Sequence, residues 1–141
     1  AKSYPNSLVT LEQLKKNYPS VKMFIDLHRD ALTPKKSTTF ELNGKKAARL
    51  LLIVGSDTRL PHPNWRQNRQ LANYVADLAE ERYPGFIKGV RVQDGRYNQH
   101  VSPRCLLVEV GGTENTLEEA KLAMEMLADV ISLVVKESEE E

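Results

Sequence analysis

Two short stretches of this chain carry residue types that could do chemistry. The first is His28-Arg29-Asp30, and the second is Glu109, just ahead of Gly111-Gly112. Glu109 interrupts Leu106-Leu107-Val108-Glu109-Val110, a segment that otherwise belongs in a core. A carboxylate taken from water there is costly unless it is paired, held by a metal or kept protonated. A carboxyl with a raised pKa is also what a general base or acid needs near neutrality. The residues leave a second account open: a structural ion pair, with Arg29 as partner, or an exposed strand end. His28 suits a metal ligand, an acid or base, or a satisfied structural histidine.

The other chemical groups point less far. His62, between two prolines, and His100, in a loop, read as solvent-facing, and no HExxH or similar pairing occurs, so a complete metal site is not legible. Gly111-Gly112 lack the pattern of a phosphate-binding loop. Tyr97-Asn98-Gln99 offers hydrogen bonds and a stacking face for a peptide or sugar, and equally reads as turn chemistry. The single cysteine, Cys105, opens an apolar run and behaves as a small hydrophobe, since a nucleophilic role requires a nearby base.

These groups must be positioned by the elements around them. Leu8, Leu11 and Leu14 predict a short amphipathic helix over Ser7 to Lys16, closed by Tyr18-Pro19. Val21 to Leu27 reads as a buried, parallel-sheet strand delivering His28 at its carboxyl end. Thr38 to Leu42 and Ala47 to Val54 flank Asn43-Gly44, a tight-hairpin signal because both residues tolerate positive φ. Asn64 is placed to cap a helix from Trp65 to Arg82, ended by Pro84-Gly85. Gly89 to Gln93 and Arg104 to Val110 read as strands. Thr116-Leu117-Glu118-Glu119 has capping-box spacing and opens the last helix. The alternation predicts an α/β fold: a central, mostly parallel sheet flanked by helices on both faces, with an inserted β-hairpin. Open sheets of this kind bind ligands at the carboxyl ends of their strands, where both chemical stretches fall.

The chain as a whole fits one domain spanning residues 1–141. Its 141 residues, 40% hydrophobic, can bury a core without disulfides. A net charge of +1, from 20 basic and 19 acidic residues with no basic cluster, argues against nucleic acid as a partner. No stretch reaches the roughly 20 apolar residues of a membrane span. The acidic run Glu137 to Glu141, broken by Ser138, reads as a frayed, solvated helix end.

Five ordered motifs then carry a resemblance. Ser3-Tyr4 with Ser7-Leu8, Ile25-Asp26-Leu27-His28-Arg29-Asp30, His62-Pro63-Asn64-Trp65, Tyr97-Asn98-Gln99 with Ser102-Pro103-Arg104, and Leu107 to Gly112 with Glu114-Asn115-Thr116 together resemble the catalytic domain of the stage II sporulation protein P family. That family belongs to the zinc-dependent N-acetylmuramoyl-L-alanine amidases. The resemblance implies an amidase-like α/β fold that removes stem peptides from peptidoglycan, with a further action on cross-linking peptides, during sporulation engulfment. It implies one zinc ion, His28 as the second zinc histidine and Glu109 as the catalytic glutamate, with Arg29, Asn98 and Asn115 shaping the substrate site. It further implies an extracytoplasmic place at the sporulation septum, a membrane anchor outside this chain, and the lytic transglycosylase stage II sporulation protein D as partner.

In the family, the other two zinc ligands precede the Ser-Tyr motif. The expectation is therefore a domain lacking its first strand and two of three ligands, with an exposed sheet edge that invites dimerisation. The alternative is a catalytically crippled module that only binds cell wall or a partner.

Overall fold

The computed structural model describes residues 3–140, with side chains up to Lys136. The chain runs α1 (Ser3–Asn17), β1 (Phe24–Asp30), β2 (Thr39–Leu42), β3 (Lys45–Ala48), β4 (Leu50–Gly55), α2 (Trp65–Arg82), β5 (Ile87–Gln93), β6 (Cys105–Gly112) and α3 (Leu117–Glu140). The acidic run Glu137 to Glu141 lies outside the described side chains.

The α/β class holds, and the sheet is mixed. Its order is β1-β6-β4-β5. The outer pairs β1–β6 and β4–β5 are parallel, and the central pair β4–β6 is antiparallel. The hairpin β2–β3 forms a separate two-stranded sheet, turning at Asn43 (φ 50°) and Gly44 (φ 76°). Two successive positive φ values match the twist of the arms, as the Asn-Gly pair foretold.

Ala47 to Val54 is not one strand. At Arg49 the chain leaves the hairpin and enters the main sheet: its N–H donates to the Thr38 carbonyl (2.7 Å), and its own carbonyl accepts from Gly111 N–H (3.0 Å). Strand β4 beyond it is buried at every position, as its unbroken Leu-Leu-Leu-Ile-Val run demands.

The core lies on one face of the sheet. Leu50, Leu52, Val54, Leu106, Val108 and Val110 pack there against Ala72, Val75 and Ala79 of α2 and Ala123, Leu127, Val130 and Val134 of α3. The opposite face carries only a small cluster of Leu51, Ile53 and Leu107, with Tyr97 against it. Helix α1 stands over that side with no buried residue, so the expected cover on both faces is thick on one and thin on the other.

Strand β1 departs from its expected character. It spans Phe24–Asp30 rather than Val21–Leu27, and it is an edge strand, exposed at Ile25 and Leu27. Among the described residues only β6 pairs with it, so its apolar residues on the core side remain partly open.

Helix α3 begins with the capping box its sequence announced. Glu119 N–H donates to Thr116 Oγ1 (3.1 Å), and Thr116 N–H donates to Glu119 Oε2 (2.9 Å). Asn64 behaves differently: its side chain makes no cap bond and donates from Nδ2 to the His100 carbonyl (2.8 Å). Among the described residues no helix is long and apolar enough to cross a membrane.

Candidate active site

The parallel register of β1 and β6 sets His28 beside Glu109, and Asp26 beside Leu107. Side chains alternate along a strand, so residues 26 and 28 share one face with 107 and 109. That is the thinly covered face. On its other flank Glu109 is register partner to Leu51 of β4. The carboxyl therefore sits between an imidazole and an apolar wall.

This setting explains its electrostatics. Glu109 Oε2 is buried and has no hydrogen-bond partner among the described residues. Burial pushes its pKa above the usual carboxylate range, the His28 imidazole pulls against that rise, and Asp30 and Asp26 add to it. An orphaned carboxyl oxygen is expensive in a folded protein and calls for a physical account.

His28 is held from two sides. Its Nε2 lies 2.9 Å from Asp26 Oδ2, and the Tyr4 ring stacks on it, with centroids 6.1 Å apart and planes inclined by 16°. Tyr4 in turn meets Tyr97 edge-on at 5.7 Å. Burial first, then Asp26, Tyr97 and Glu109, raises the Tyr4 phenol and keeps it protonated.

The loop after β5 anchors this arrangement. Tyr97 (φ 48°) and Asn98 (φ 57°) are consecutive left-handed residues without being glycine, a conformation that surrounding contacts must hold. Tyr97 donates its hydroxyl to Gln93 Oε1 (2.9 Å), and Asn98 Nδ2 donates to the Tyr4 carbonyl (2.8 Å) and to Ser7 Oγ (3.0 Å). Gln99 is buried beneath them. It donates from Nε2 to the Ile53 carbonyl (2.9 Å) and accepts from Gly55 N–H (2.7 Å). A groove of about 270 Å³ opens between α1 and the starts of β1 and β6, with Asp26, Tyr97 and Asn98 among its lining.

The residues singled out from sequence fall into distinct places. His28 and Glu109 are brought together. Asn98 is at the site's rim and is occupied in tying down α1. Arg29 is exposed and forms no ion pair with Glu109 among the described residues. Strand alternation directs it away from His28. Asp30 turns into its own loop, accepting from Leu32 N–H (2.8 Å), Thr33 N–H (3.1 Å) and the Thr33 hydroxyl, and the Thr33 hydroxyl chiefly holds its pKa low. Asn115 is buried at the foot of α3. Its Oδ1 accepts from Gly112 N–H (2.8 Å), and its Nδ2 donates to Thr39 Oγ1 and Glu119 Oε2. Its amide is thereby committed to the fold.

The two remaining histidines are not solvent-facing. His62 is 2% exposed with both ring nitrogens unpartnered among the described residues, and His100 is half-buried with Nδ1 likewise unpartnered. The turn at residues 62–65 folds against residues 96–100: Arg96 reaches the Pro61 carbonyl (3.2 Å) and Asn64 reaches that of His100. That docking hides rings which proline neighbours alone suggested would be open.

Sequence reasoning passed over Asp26 and Tyr4. Asp26 was readable, being two positions before His28 and thus on its face in any strand. Tyr4 stood in a motif that carried the resemblance, but its contact with His28 was not readable, because it lies 24 residues away on a helix whose placement no local pattern specifies.

The fit to a zinc ion is partial. His28 with a carboxylate at one nitrogen matches how a metal-binding histidine is oriented, leaving Nδ1 free. Among the described residues, however, no group of three His, Cys, Asp or Glu gathers as a metal site, whereas a catalytic zinc ion draws on three protein donors and a structural one on four.

No solved structure matches the chain. The sequence model of the family described as "Stage II sporulation protein P" matches residues 1–132. The chain is 36% identical over 137 residues to stage II sporulation protein P of Bacillus subtilis (strain 168), covering 94% of this chain. It spans about a third of that relative's length, 33%. The chain belongs to the stage II sporulation protein P family.

Proposed function

We propose that the chain is part of a sporulation peptidoglycan hydrolase, a zinc-dependent N-acetylmuramoyl-L-alanine amidase, with Glu109 as its catalytic carboxyl and His28 as one zinc ligand. The observation that carries this reading is the pairing of His28 and Glu109 in register on one sheet face, with Glu109 Oε2 buried and unpartnered.

Glu109 does the proton work in this reading. Its carboxylate takes a proton from the attacking water, and the resulting acid returns it to the departing amine of the stem peptide. Burial, which raises its pKa, brings it nearer the working pH and lets one group serve both steps. Asp26 holds His28 by Nε2. When bound, the zinc ion supplies polarisation of the scissile carbonyl and a water that ionises near neutrality. The other ligands come from outside the described residues.

Peptidoglycan is the substrate in this reading, with cross-link cleavage as a further activity, and stage II sporulation protein D is the partner at an extracytoplasmic septum. The test uses the whole protein. Zinc content and release of stem peptides from purified cell wall are measured for the native sequence, Glu109→Gln and His28→Ala. One zinc per chain, activity lost in both variants, and zinc retained in Glu109→Gln are expected. A native protein that binds no zinc, or an active Glu109→Gln, overturns the proposal.

A further inference from the structure

The Tyr4 ring lies nearly parallel to the His28 imidazole, yet α1, which carries it, buries no residue of its own. Helices on a protein surface are normally held by an apolar stripe. Here Leu8 and Leu11 are only half-buried and Leu14 is exposed, with the groove beneath them. Hydrogen bonds do much of the fastening. Asn98 takes the Tyr4 carbonyl and Ser7 Oγ at the start of the helix, and Lys15 Nζ reaches the Val101 carbonyl (2.6 Å) at its end.

The anchoring loop is strained where it grips. Tyr97 and Asn98 both hold positive φ, each at an energetic cost for a residue with a Cβ. Gly95 next to them is packed so that a Cβ would strike the Tyr97 ring at 2.8 Å. Gln99 locks the far side of the turn to β4. Such strain is retained where it sets a geometry, and the geometry it sets is that of Tyr97 against Tyr4 and of Tyr4 on His28.

We propose that Tyr4 is a positioning residue of the hydrolytic site, its ring fixing the plane of the His28 imidazole, and that the strained Tyr97-Asn98 turn exists to hold it there. Asp26 meets the ring at Nε2, while the Tyr4 ring lies nearly parallel against its face. Two constraints on one imidazole leave Nδ1 a single direction. The contact uses the ring, so the hydroxyl is dispensable to it. The inference rests on the proposed role of His28 and extends the site to a residue on the first helix.

The experiment uses the whole protein with labelled histidine rings. Stacking displaces the His28 ring-proton resonance upfield, and that displacement reports the contact without reference to activity. Tyr4→Phe is expected to keep both the displacement and stem-peptide release within about twofold of native. Tyr4→Leu is expected to lose the displacement and at least about tenfold in kcat, the penalty for a loosened catalytic group. Tyr4 is outside the core, so folding should survive. Asn98→Gly provides a second route: it relieves backbone strain and removes the hook, so an undiminished melting temperature with lowered kcat and a lost displacement is expected. If Tyr4→Leu and Asn98→Gly lose the displacement but hydrolyse at the native rate while His28→Ala and Glu109→Gln are inactive, the inference fails alone. If His28→Ala or Glu109→Gln remains active, the functional reading fails with it.

Discussion

His28 and Glu109 are register partners on the parallel strands β1 and β6, with their side chains on the thinly covered face of the sheet. Neighbouring parallel strands bring such partners about 5 Å apart at the backbone. The core-forming face, one residue out of phase on either strand, would have buried both in hydrocarbon. The pairing puts an imidazole and a raised-pKa carboxyl beside each other and beside Leu51.

Glu109→Gln should separate activity from stability. Loss of a positioned general acid–base lowers kcat by about 10²–10⁴-fold. The same change should raise the melting temperature at neutral pH. The folded pKa of Glu109 is raised by burial, so the folded protein holds this proton more tightly than the unfolded chain does. Its contribution is favourable below the unfolded carboxyl pKa and is lost as pH rises through the folded one. The gain of the glutamine variant should therefore appear above that window and vanish below it. Thermal melts across pH, set beside cell-wall digestion, check both halves.

His62 should make the fold acid-sensitive. Burial, with His100 and Arg96 adding to it, presses its pKa from 6.5 down to about 4. The unfolded chain takes up the proton first, so stability is complete above 6.5 and falls as pH drops from 6.5 towards 4. The loss attributable to this ring is about 2 kcal/mol after allowance for solvent screening. His62→Leu should flatten the urea-unfolding free energy over that window while leaving stability at pH 8 within about 1 kcal/mol. An unchanged slope would mean that the ring takes up its proton as readily in the folded protein as in the unfolded chain.

Asn115→Ala distinguishes a structural amide from a substrate contact. The substitution leaves Gly112 N–H and Glu119 with one partner fewer, in a place where Gly111 (φ +60°) has no room for a Cβ against Asn115 and Ala48. A cost of about 2 kcal/mol is expected, with KM for cell-wall fragments unchanged. A raised KM at native stability would return Asn115 to the binding site.

Asn68 should matter more than its place on a helix suggests. It is fully buried, donates from Nδ2 to the Gln99 carbonyl (2.9 Å) and accepts from Cys105 N–H (3.2 Å). It therefore joins α2, β6 and the turn carrying Tyr97 and Asn98. Asn68→Ala orphans two buried backbone groups and should cost about 3 kcal/mol by chemical denaturation. The stacked His28 resonance should broaden or shift in the same variant, because the turn beneath it loosens.

The chain's local patterns determined the elements that obey local physics. Asn43-Gly44 specified a hairpin through positive φ, Thr116 and Glu119 specified a helix start through reciprocal backbone bonds, and Leu50 to Val54 specified a buried strand through unbroken apolar content. Glu109 stood out for the same reason, as a charge in an apolar run. What tertiary structure decided was neighbourhood. Strand order made β1 an edge and β4–β6 antiparallel, turned Arg29 away, consumed Asn115 in the fold, buried His62, and brought Tyr4 and Asp26 onto His28. Those outcomes depend on contacts between residues far apart in sequence, and such contacts are fixed by how faces pack across the whole sheet rather than by any spacing along the chain.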